Sequence, residues 1–261
     1  MTLKISLAQM NVILGEPRAN VDTVRLMAAE AARRGTQMLV LPELWSTGYD
    51  LENAAEYATE LHEGVFAEVR EMATHHQLYI IGSCLSLLGE GQYGNTAVLC
   101  NPQGEIMADY SKIHLFRLMQ EEQYLTAGDH LTLVDSEWGK LGLAICYDLR
   151  FPEMFRRYAL DGAKVVFLPS EWPHPRLAHW QTLLRARAIE NQLYMVACNR
   201  VGRSKDTDFF GHSCIVDPWG QPLIEAGEEE MLVTCEIDLG RVDEVRRKIP
   251  IFEDRRPELY R

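Results

Sequence analysis

Three side chains that could together break a covalent bond each follow a predicted strand. Glu43 comes after QMLVLP, Lys112 after EIMADYS and Cys146 after KLGLAI. Loops that leave the carboxyl ends of strands in an α/β sheet converge around a crevice, and such sheets bind their ligands there. We therefore predict that a carboxylate, an ammonium group and a thiol share one pocket, as nucleophilic catalysis by cysteine requires.

Cys146 differs from the other cysteines in its surroundings. Its strand ends abruptly at the polar turn CYDLRFPE, before a predicted helix. A bend of this kind exposes a nucleophile and directs free backbone amides at it, so we predict the Tyr147 amide as an oxyanion donor. No two cysteines form a CxxC pair, which argues against a disulfide scaffold or a zinc ribbon. The remaining five lie in or at the end of apolar strand-like runs and are expected to be small buried hydrophobes, at positions 84, 100, 198, 214 and 235.

Glu43 and Lys112 each have an ordinary alternative as a solvated surface charge. Glu43, however, is flanked by Leu-Pro before it and Leu-Trp after it. Apolar neighbours withdraw a carboxylate from water and help it to hold a proton, which suits a general base. A lysine beside that carboxylate would stabilise both its anion and a developing oxyanion. We predict Glu43 as the base and Lys112 as its charged neighbour.

Strand-like and helical segments alternate along the chain, which is typical of an α/β fold. NTAVLC and EIMADYSK flank an Asn-Pro-Gln-Gly turn and predict an antiparallel hairpin, so the sheet is mixed. At least nine candidate strands could form one large sheet or two packed sheets, and periodicity does not choose between them. The predicted helices cover about 18–34, about 63–76, a stretch from Pro152 and about 177–191.

Composition indicates one globular domain over residues 1–261. The chain is 47% hydrophobic, and no Pro/Gly/Ser-rich linker or repeat divides it. Its last part, about 241–261, is predicted to be a tail that packs on the domain or on a partner subunit.

A formal net charge of -12 argues against nucleic-acid binding. No apolar stretch approaches the roughly 20 residues that span a bilayer, and no signal-peptide pattern is found, so we predict a cytoplasmic protein without membrane contact.

Motifs for nucleotides and metals are not found in the sequence. There is no HExxH, GxGxxG or P-loop lysine motif, and the histidine pairs at 75/76 and 174/179 lack metal-ligand spacing. We therefore predict a reaction that needs no cofactor and no metal.

The motifs LPELWSTGYDL, YSKIHLF and GLAICYDLRFPE resemble those that carry the Glu-Lys-Cys triad of the nitrilase-type carbon–nitrogen hydrolase superfamily. The likeness continues through RARAIENQ, GHSCIVDPWG and IPIFEDRRPELY, and so covers essentially the whole chain. Within the superfamily, ELWSTGYDL, HLFRLMQEEQYLTAG and SEWPHPRLAHW look most like bacterial omega-amidases that act on 2-oxoglutaramate. The resemblance implies an αββα sandwich of two mixed sheets flanked by helices, and a homodimer or larger homo-oligomer.

The resemblance also implies further site residues. Glu121 corresponds to the family's second glutamate, which positions the lysine and the substrate, with Glu122 as the alternative register. Arg176 is the predicted partner of a substrate carboxylate, since its planar fork matches that group; pairing with a nearby acid is the alternative. The other pocket positions implied by the resemblance are Tyr49, Phe116, Glu171 and Trp172.

The implied activity is hydrolysis of a small amide through a cysteine thioester, with release of ammonia. A nitrile, an N-carbamoyl compound or an ester is an alternative substrate, because each suits a thiolate and an oxyanion site. A binding or scaffold protein that has lost catalysis is an alternative of a different class. The combined presence of Glu43, Lys112 and Cys146 favours the enzyme.

Overall fold

Two six-stranded sheets form the centre of the protein, seen in a computed structural model that describes residues 1–260. The first sheet contains β1 (Thr2–Gln9), β2 (Met38–Val40), β3 (Tyr79–Gly89), β4 (Gln92–Cys100), β5 (Ile106–Ser111) and β14 (Met231–Asp238). The second contains β6 (Thr132–Ser136), β7 (Gly139–Leu143), β8 (Ala163–Ser170), β9 (Tyr194–Asn199), β12 (Cys214–Val216) and β13 (Pro222–Glu225). A separate hairpin is formed by β10 (Val201–Ser204) and β11 (Thr207–Phe210).

Both sheets are mixed. Their strand orders are β14-β1-β2-β3-β4-β5 and β13-β12-β9-β8-β7-β6. In the first sheet β1, β2 and β3 are parallel, and in the second β7, β8 and β9 are parallel, while the flanking strands pair antiparallel. The predicted hairpin of β4 and β5 is confirmed. Each sheet therefore has three parallel strands whose carboxyl ends lie at one edge.

Helices cover the outer faces of the two sheets. They are α1 (Pro17–Arg33), α2 (Ala54–Tyr57), α3 (Gly64–His76), α4 (Glu121–Tyr124), α5 (Pro152–Leu160), α6 (Leu177–Asn191) and α7 (Gly240–Lys248). The four long predicted helices are confirmed as α1, α3, α5 and α6. Pro17 and Pro152 each begin a helix. Backbone N–H groups in the first turn have no partner within the helix, so proline, which lacks this group, loses no hydrogen bond there. Within residues 1–260 no helix is long and apolar enough to cross a membrane.

Alternation along β1 divides its side chains between two hydrophobic cores. Leu3, Ile5 and Leu7 lie in the core between the sheets, whereas Ala8 lies in the core beneath α1 and α3. A strand has a side-chain period of two, so one strand can serve both faces. The helices α5 and α6 pack on the second sheet in turn. This is the αββα sandwich that the resemblance implied, and the question of one sheet or two is settled.

The carboxyl-terminal part of the chain has more regular structure than the sequence indicated. The predicted tail at about 241–261 begins with α7, and Arg261 lies outside the described residues. The half-buried ring of Phe252 packs at the edge of the main core, with the guanidinium carbons of Arg156 and Arg246 5.5 and 5.3 Å from its centroid. The cation–π contact with Arg156, which lies on α5, holds the segment against the domain, whereas Arg246 belongs to the segment itself.

Candidate active site

Loops that follow strands of both sheets meet in one buried cluster. Glu43 follows β2, Lys112 directly follows β5, and Cys146 follows β7. Their exposed fractions are 0%, 1% and 5%. The sequence placed these residues at strand ends, and the structure brings them together across the two sheets.

Lys112 lies between two buried carboxylates. Its Nζ atom is 2.8 Å from Glu43 Oε1 and 2.5 Å from Glu121 Oε1. The Tyr49 hydroxyl is 2.5 Å from Glu121 Oε1 and 3.0 Å from Glu43 Oε1. The structure thus places Glu121 beside the lysine, while Glu122 is exposed. One ammonium group is shared by two acids, which fixes the orientation of both.

The two oxygen atoms of Glu43 have different surroundings. Oε1 accepts hydrogen bonds from Lys112 Nζ and Asn95 Nδ2, each at 2.8 Å, and lies 3.0 Å from the Tyr49 hydroxyl, whose proton is directed at the nearer Glu121. Oε2 accepts one, from the Glu171 backbone N–H at 2.9 Å. A carboxylate oxygen has two lone pairs, so Oε2 keeps a free acceptor position. That oxygen is the one suited to take a proton.

Burial dominates the protonation of the cluster. It raises the pKa of the Cys146 thiol well above its usual value, and the nearby Glu43 carboxylate raises it further while Lys112 opposes the shift. For Lys112, burial lowers the pKa, but Glu121 and Glu43 outweigh it and the net pKa is raised. Burial also raises the pKa of Glu121 against the opposing charge of Lys112. The resting cysteine is therefore a thiol that needs a base.

The turn that carries Cys146 is held by a buried aspartate that sequence reasoning did not single out. Cys146 has φ +44°, in the left-handed region that a residue with a side chain adopts only when its surroundings enforce it. Asp148 accepts hydrogen bonds from the Ile145 N–H and the Tyr110 hydroxyl, each at 2.8 Å. Tyr147 directly follows the nucleophile within the 3₁₀ helix Cys146–Arg150. This local geometry is that of a strand-to-helix bend, as predicted.

A small cavity lies beside the cysteine. It is lined by Phe116, Cys146, Tyr147, Arg150, Glu171, Trp172, Pro173 and Arg176. Every pocket residue predicted from the sequence is among these except Tyr49. Tyr49 lies beside Lys112 and lines a separate, larger cavity of about 190 Å³.

Two arginines face the small cavity without an acidic partner. Among residues 1–260, neither Arg150 nor Arg176 has a carboxylate oxygen within 4.0 Å, so the alternative pairing of Arg176 is not found. The Arg150 guanidinium carbon lies 4.9 Å from the Trp172 ring centroid, and that of Arg176 5.7 Å from the Phe116 centroid. Burial lowers the pKa of Arg176, and the charge of Arg150 adds to this. Arg176 nevertheless stays charged at neutral pH, because the pKa of a guanidinium group is far above 7.

Four polar residues near the site were not predicted: Asn95, Asp148, Arg150 and Arg200. Arg150 and Asp148 belong to the same turn as Cys146, so their positions carried a usable signal. No sequence signal marked Asn95 or Arg200, because each belongs to another strand region and reaches the site only through tertiary packing. In residues 1–260 no group of three or more His, Cys, Asp and Glu side chains could hold a metal ion.

Comparison with known proteins agrees with the geometry. Residues 4–247 match the carbon–nitrogen hydrolase family. The chain is 41% identical over 256 residues to the 2-oxoglutaramate amidase of Bacillus subtilis, covering 98% of each chain. It is 34% identical to an omega-amidase of Homo sapiens, covering 92% of this chain and 91% of the relative. The crystal structure of a carbon–nitrogen hydrolase from Helicobacter pylori superposes with a TM-score of 0.94 at 29% identity, covering 100% and 97% of the two chains.

A strand-end cysteine with a buried carboxylate and lysine beside it is an arrangement that suits thiol-dependent hydrolysis. The protein belongs to the carbon–nitrogen hydrolase family, and it is an enzyme of the amidase type.

Proposed function

We propose that the enzyme hydrolyses the terminal amide of a small carboxylate-bearing substrate such as 2-oxoglutaramate. The observation that carries this proposal is that Arg150 and Arg176, neither of which has an acidic partner among residues 1–260, line the same cavity as Cys146. A guanidinium group binds carboxylates through two parallel hydrogen bonds. The relatives named 2-oxoglutaramate amidase and omega-amidase support the same choice.

The first half of the proposed reaction forms a thioester. Glu43 removes the proton from Cys146 as Sγ attacks the amide carbon, and the carbonyl oxygen becomes an oxyanion. Lys112 and the Tyr147 N–H stabilise that charge, and Glu121 with Tyr49 holds Lys112 in place. Glu43 then gives its proton to the nitrogen as the carbon–nitrogen bond breaks, and ammonia leaves.

The second half returns the enzyme to its starting state. Glu43 removes a proton from a water molecule, whose oxygen attacks the thioester carbon. The carbon–sulfur bond breaks, the acid product is released, and Glu43 returns its proton to the sulfur of Cys146. A single carboxylate can serve both half-reactions because it is neutral after the first proton transfer and ionised after ammonia has left.

Substitution of Arg176 tests the choice of substrate. In Arg176→Ala, we expect KM for 2-oxoglutaramate to rise about 10- to 100-fold, because a hydrogen bond to a charged group contributes about 1.5–3 kcal/mol. KM for a neutral amide of similar length should change less than about twofold, since it has no carboxylate to bind. Steady-state ammonia release measures both. Equal effects on the two substrates would remove Arg176 from this role.

An ammonia-release screen tests the alternatives within the family. We expect omega-amides with a free carboxylate to have the highest kcat/KM, above N-carbamoyl compounds, nitriles and neutral amides; esters need a separate acid-release assay. Preference for any of these other classes would replace the proposed substrate. No turnover of any class, together with slow labelling of Cys146, would favour a binding or scaffold protein.

We also propose that the enzyme acts in the cytoplasm as a homodimer or larger homo-oligomer. The first part carries forward the expectation already stated for the sequence. The second follows the family resemblance alone. Light scattering at several protein concentrations tests the assembly, and a mass equal to one chain of 29.8 kDa at all of them would contradict it.

A further inference from the structure

The loop after β5 and the turn after β7 are joined by a contact that the reaction above does not use. The loop carries Lys112 and His114, and the turn carries Cys146 and Asp148. The His114 Nδ1 atom lies 2.7 Å from Asp148 Oδ1, and the His114 backbone N–H donates to the same oxygen at 3.3 Å. This His–Asp contact therefore joins the second residue after the lysine to the second residue after the nucleophile.

Asp148 is fully buried, and protein groups fill its whole capacity to accept hydrogen bonds. Oδ2 accepts from the Ile145 N–H and the Tyr110 hydroxyl, each at 2.8 Å, and Oδ1 accepts the two bonds from His114. A carboxylate has about four lone-pair positions and no proton, so the ring nitrogen of His114 is the donor. No acceptor position is left for a substrate atom. Asp148 therefore acts by holding other residues in place.

The residues that Asp148 holds come from both sheets. Ile145 follows β7 of the second sheet and directly precedes the nucleophile. Tyr110, on β5 of the first sheet, lies two positions before Lys112, and His114 lies two positions after it. One buried carboxylate thus fastens the segment on both sides of the lysine to the turn of the cysteine.

The ring of His114 makes a second contact with the same turn. It stacks on Phe151, the residue that ends the 3₁₀ helix Cys146–Arg150, with ring centroids 3.6 Å apart and planes 7° from parallel. The His114 side chain is 27% exposed, so packing alone does not enclose it. Its orientation depends on the stacked ring on one side and on the hydrogen bond to Asp148.

The other partners of Lys112 belong to elements that do not carry the nucleophile. Its two carboxylate partners follow β2 and begin α4. Its backbone N–H donates to the Asn95 carbonyl on β4, and its carbonyl accepts from the Gly128 N–H, each at 2.9 Å. These contacts fix the lysine within its own half of the sandwich. Its position relative to the sulfur depends on a contact with the turn that carries the sulfur.

We propose that His114 is a positioning residue: through Asp148 it holds the lysine loop against the nucleophile turn, so that the ammonium group faces the oxyanion formed in amide hydrolysis. The inference rests on the proposed function, because it takes Lys112 to stabilise that oxyanion. It adds the residue that sets the lysine relative to the sulfur. Catalysis is sensitive to such placement, since a shift of about 1 Å can lower a rate about 10²-fold.

The test compares ammonia release from 2-oxoglutaramate with alkylation of Cys146 by iodoacetamide. Alkylation displaces iodide from a saturated carbon and forms no oxyanion, so it needs the thiolate and Glu43 but no placement of Lys112. His114→Phe keeps a ring to stack on Phe151 and loses the donor. We expect kcat to fall about 10- to 100-fold, while KM and the alkylation rate change less than about threefold.

The conservative variant His114→Asn should restore kcat to nearly that of the wild type, because the asparagine Nδ2 lies close to the position of the histidine Nδ1 and donates to Asp148. His130→Ala is the matched control, since it removes a histidine 2.8 Å from Asp129 at an exposed site, and it should leave both rates unchanged. Thermal melts establish that each variant is folded. His114→Ala, whose smaller side chain cannot overpack the site, replaces His114→Phe if that variant does not fold.

A wild-type kcat in His114→Phe would overturn the inference. A kcat in His114→Asn as low as that in His114→Phe would also overturn it, because the hydrogen bond would then not be the contact that matters. If kcat and the alkylation rate fall by the same factor, Asp148 supports only the nucleophile, and the inference is wrong.

These outcomes leave the proposed function standing, since the wild-type enzyme still hydrolyses 2-oxoglutaramate. If the wild-type enzyme instead prefers a neutral amide, the proposed substrate is wrong, and the same comparison on that amide decides the inference. No ammonia release from any amide would overturn both.

Discussion

Cys146 is set apart by its neighbours and not by an unusually acidic thiol. Burial raises the pKa of Cys84 and Cys214 to about 12 as well, so a raised pKa does not distinguish the nucleophile. The Glu43 carboxylate beside the sulfur is the feature that distinguishes Cys146 from the other cysteines. The expectation that the other five cysteines are buried holds for four of them; it is wrong for Cys235, which is half-buried because it lies on the edge strand β14, at the border of the core between the two sheets.

Alkylation with iodoacetamide should reveal this dependence on Glu43. In Glu43→Gln, we expect the labelling rate of Cys146 to fall about 10²-fold or more, since only a thiolate reacts and the base that generates it is gone. Peptide mass spectrometry follows each cysteine separately. In the wild-type enzyme, a saturating amide should protect Cys146 and leave Cys235 unaffected.

Cys235 is the internal control for this measurement, because it is half-buried on the edge strand β14 and its pKa is shifted by burial and by Glu236, with no contribution from Glu43. Its rate should be the same in both proteins if Glu43→Gln is folded. Equal labelling of Cys146 in both proteins would show that the thiol is activated without Glu43, and the assignment of the base would be wrong.

At the scale of elements, the loop that carries Glu43 rests directly on β3. The Leu41 N–H donates to the Ile81 carbonyl at 2.7 Å, and the Trp45 N–H to the Ser83 carbonyl at 3.2 Å. Between these bonds lies Gly82, where an added Cβ would be 2.8 Å from Leu41 Cβ and 3.0 Å from Trp45 Cδ1. The glycine permits the close approach that places Glu43 beneath the second sheet's turn.

Gly82→Ala should therefore displace the base. We expect kcat to fall about tenfold or more, with a loss of about 1–3 kcal/mol in the free energy of unfolding, because the added methyl group overpacks the contact. Gly227→Ala is the matched control, since a Cβ there meets nothing within 4 Å. Urea denaturation and steady-state kinetics measure the two effects. Unchanged kinetics in Gly82→Ala would show that the loop adjusts without moving Glu43.

These elements also show how far the sequence could lead. Apolar runs ending in polar turns predicted the strand ends that carry Glu43, Lys112 and Cys146, because a buried strand can be recognised locally from its run of apolar residues. Local patterns contain nothing about how two sheets dock. The contact between the Glu171 N–H and Glu43 spans 128 positions, and that between Asn95 and Glu43 spans 52. The family resemblance implied Glu171 as a pocket residue, but neither contact followed from periodicity.

The short strands β6, β10, β11 and β13 were missed for a related reason. Each has only four or five residues, and most of their side chains are partly or fully exposed, so the alternation of apolar and polar residues is weak. Pairing with neighbours defines them instead. Arg200 lies at the start of this poorly predicted region, just before β10, which is why its contact with Glu171 had no sequence signal.

At the scale of the whole molecule, two electrostatic effects oppose each other for an anionic substrate. The chain has a formal net charge of -12, which repels a carboxylate at long range. Arg150 and Arg176 attract it only within the cavity. The Debye length is about 30 Å at 0.01 M salt and about 8 Å at 0.15 M, so added salt first screens the long-range repulsion. Contacts inside a partly buried cavity are screened much less.

We therefore expect kcat/KM for a carboxylate-bearing amide to rise about twofold as ionic strength increases from 0.01 to 0.15 M, while that for a neutral amide stays constant. Steady-state ammonia release at fixed pH measures both. In Arg176→Ala, kcat/KM for the carboxylate-bearing amide should be lower at every salt concentration but should still rise about as much with added salt. The long-range repulsion comes from the whole surface, whereas the lost attraction came from one side chain. A decrease with added salt would mean that the field of the two arginines extends beyond the cavity and outweighs the net charge.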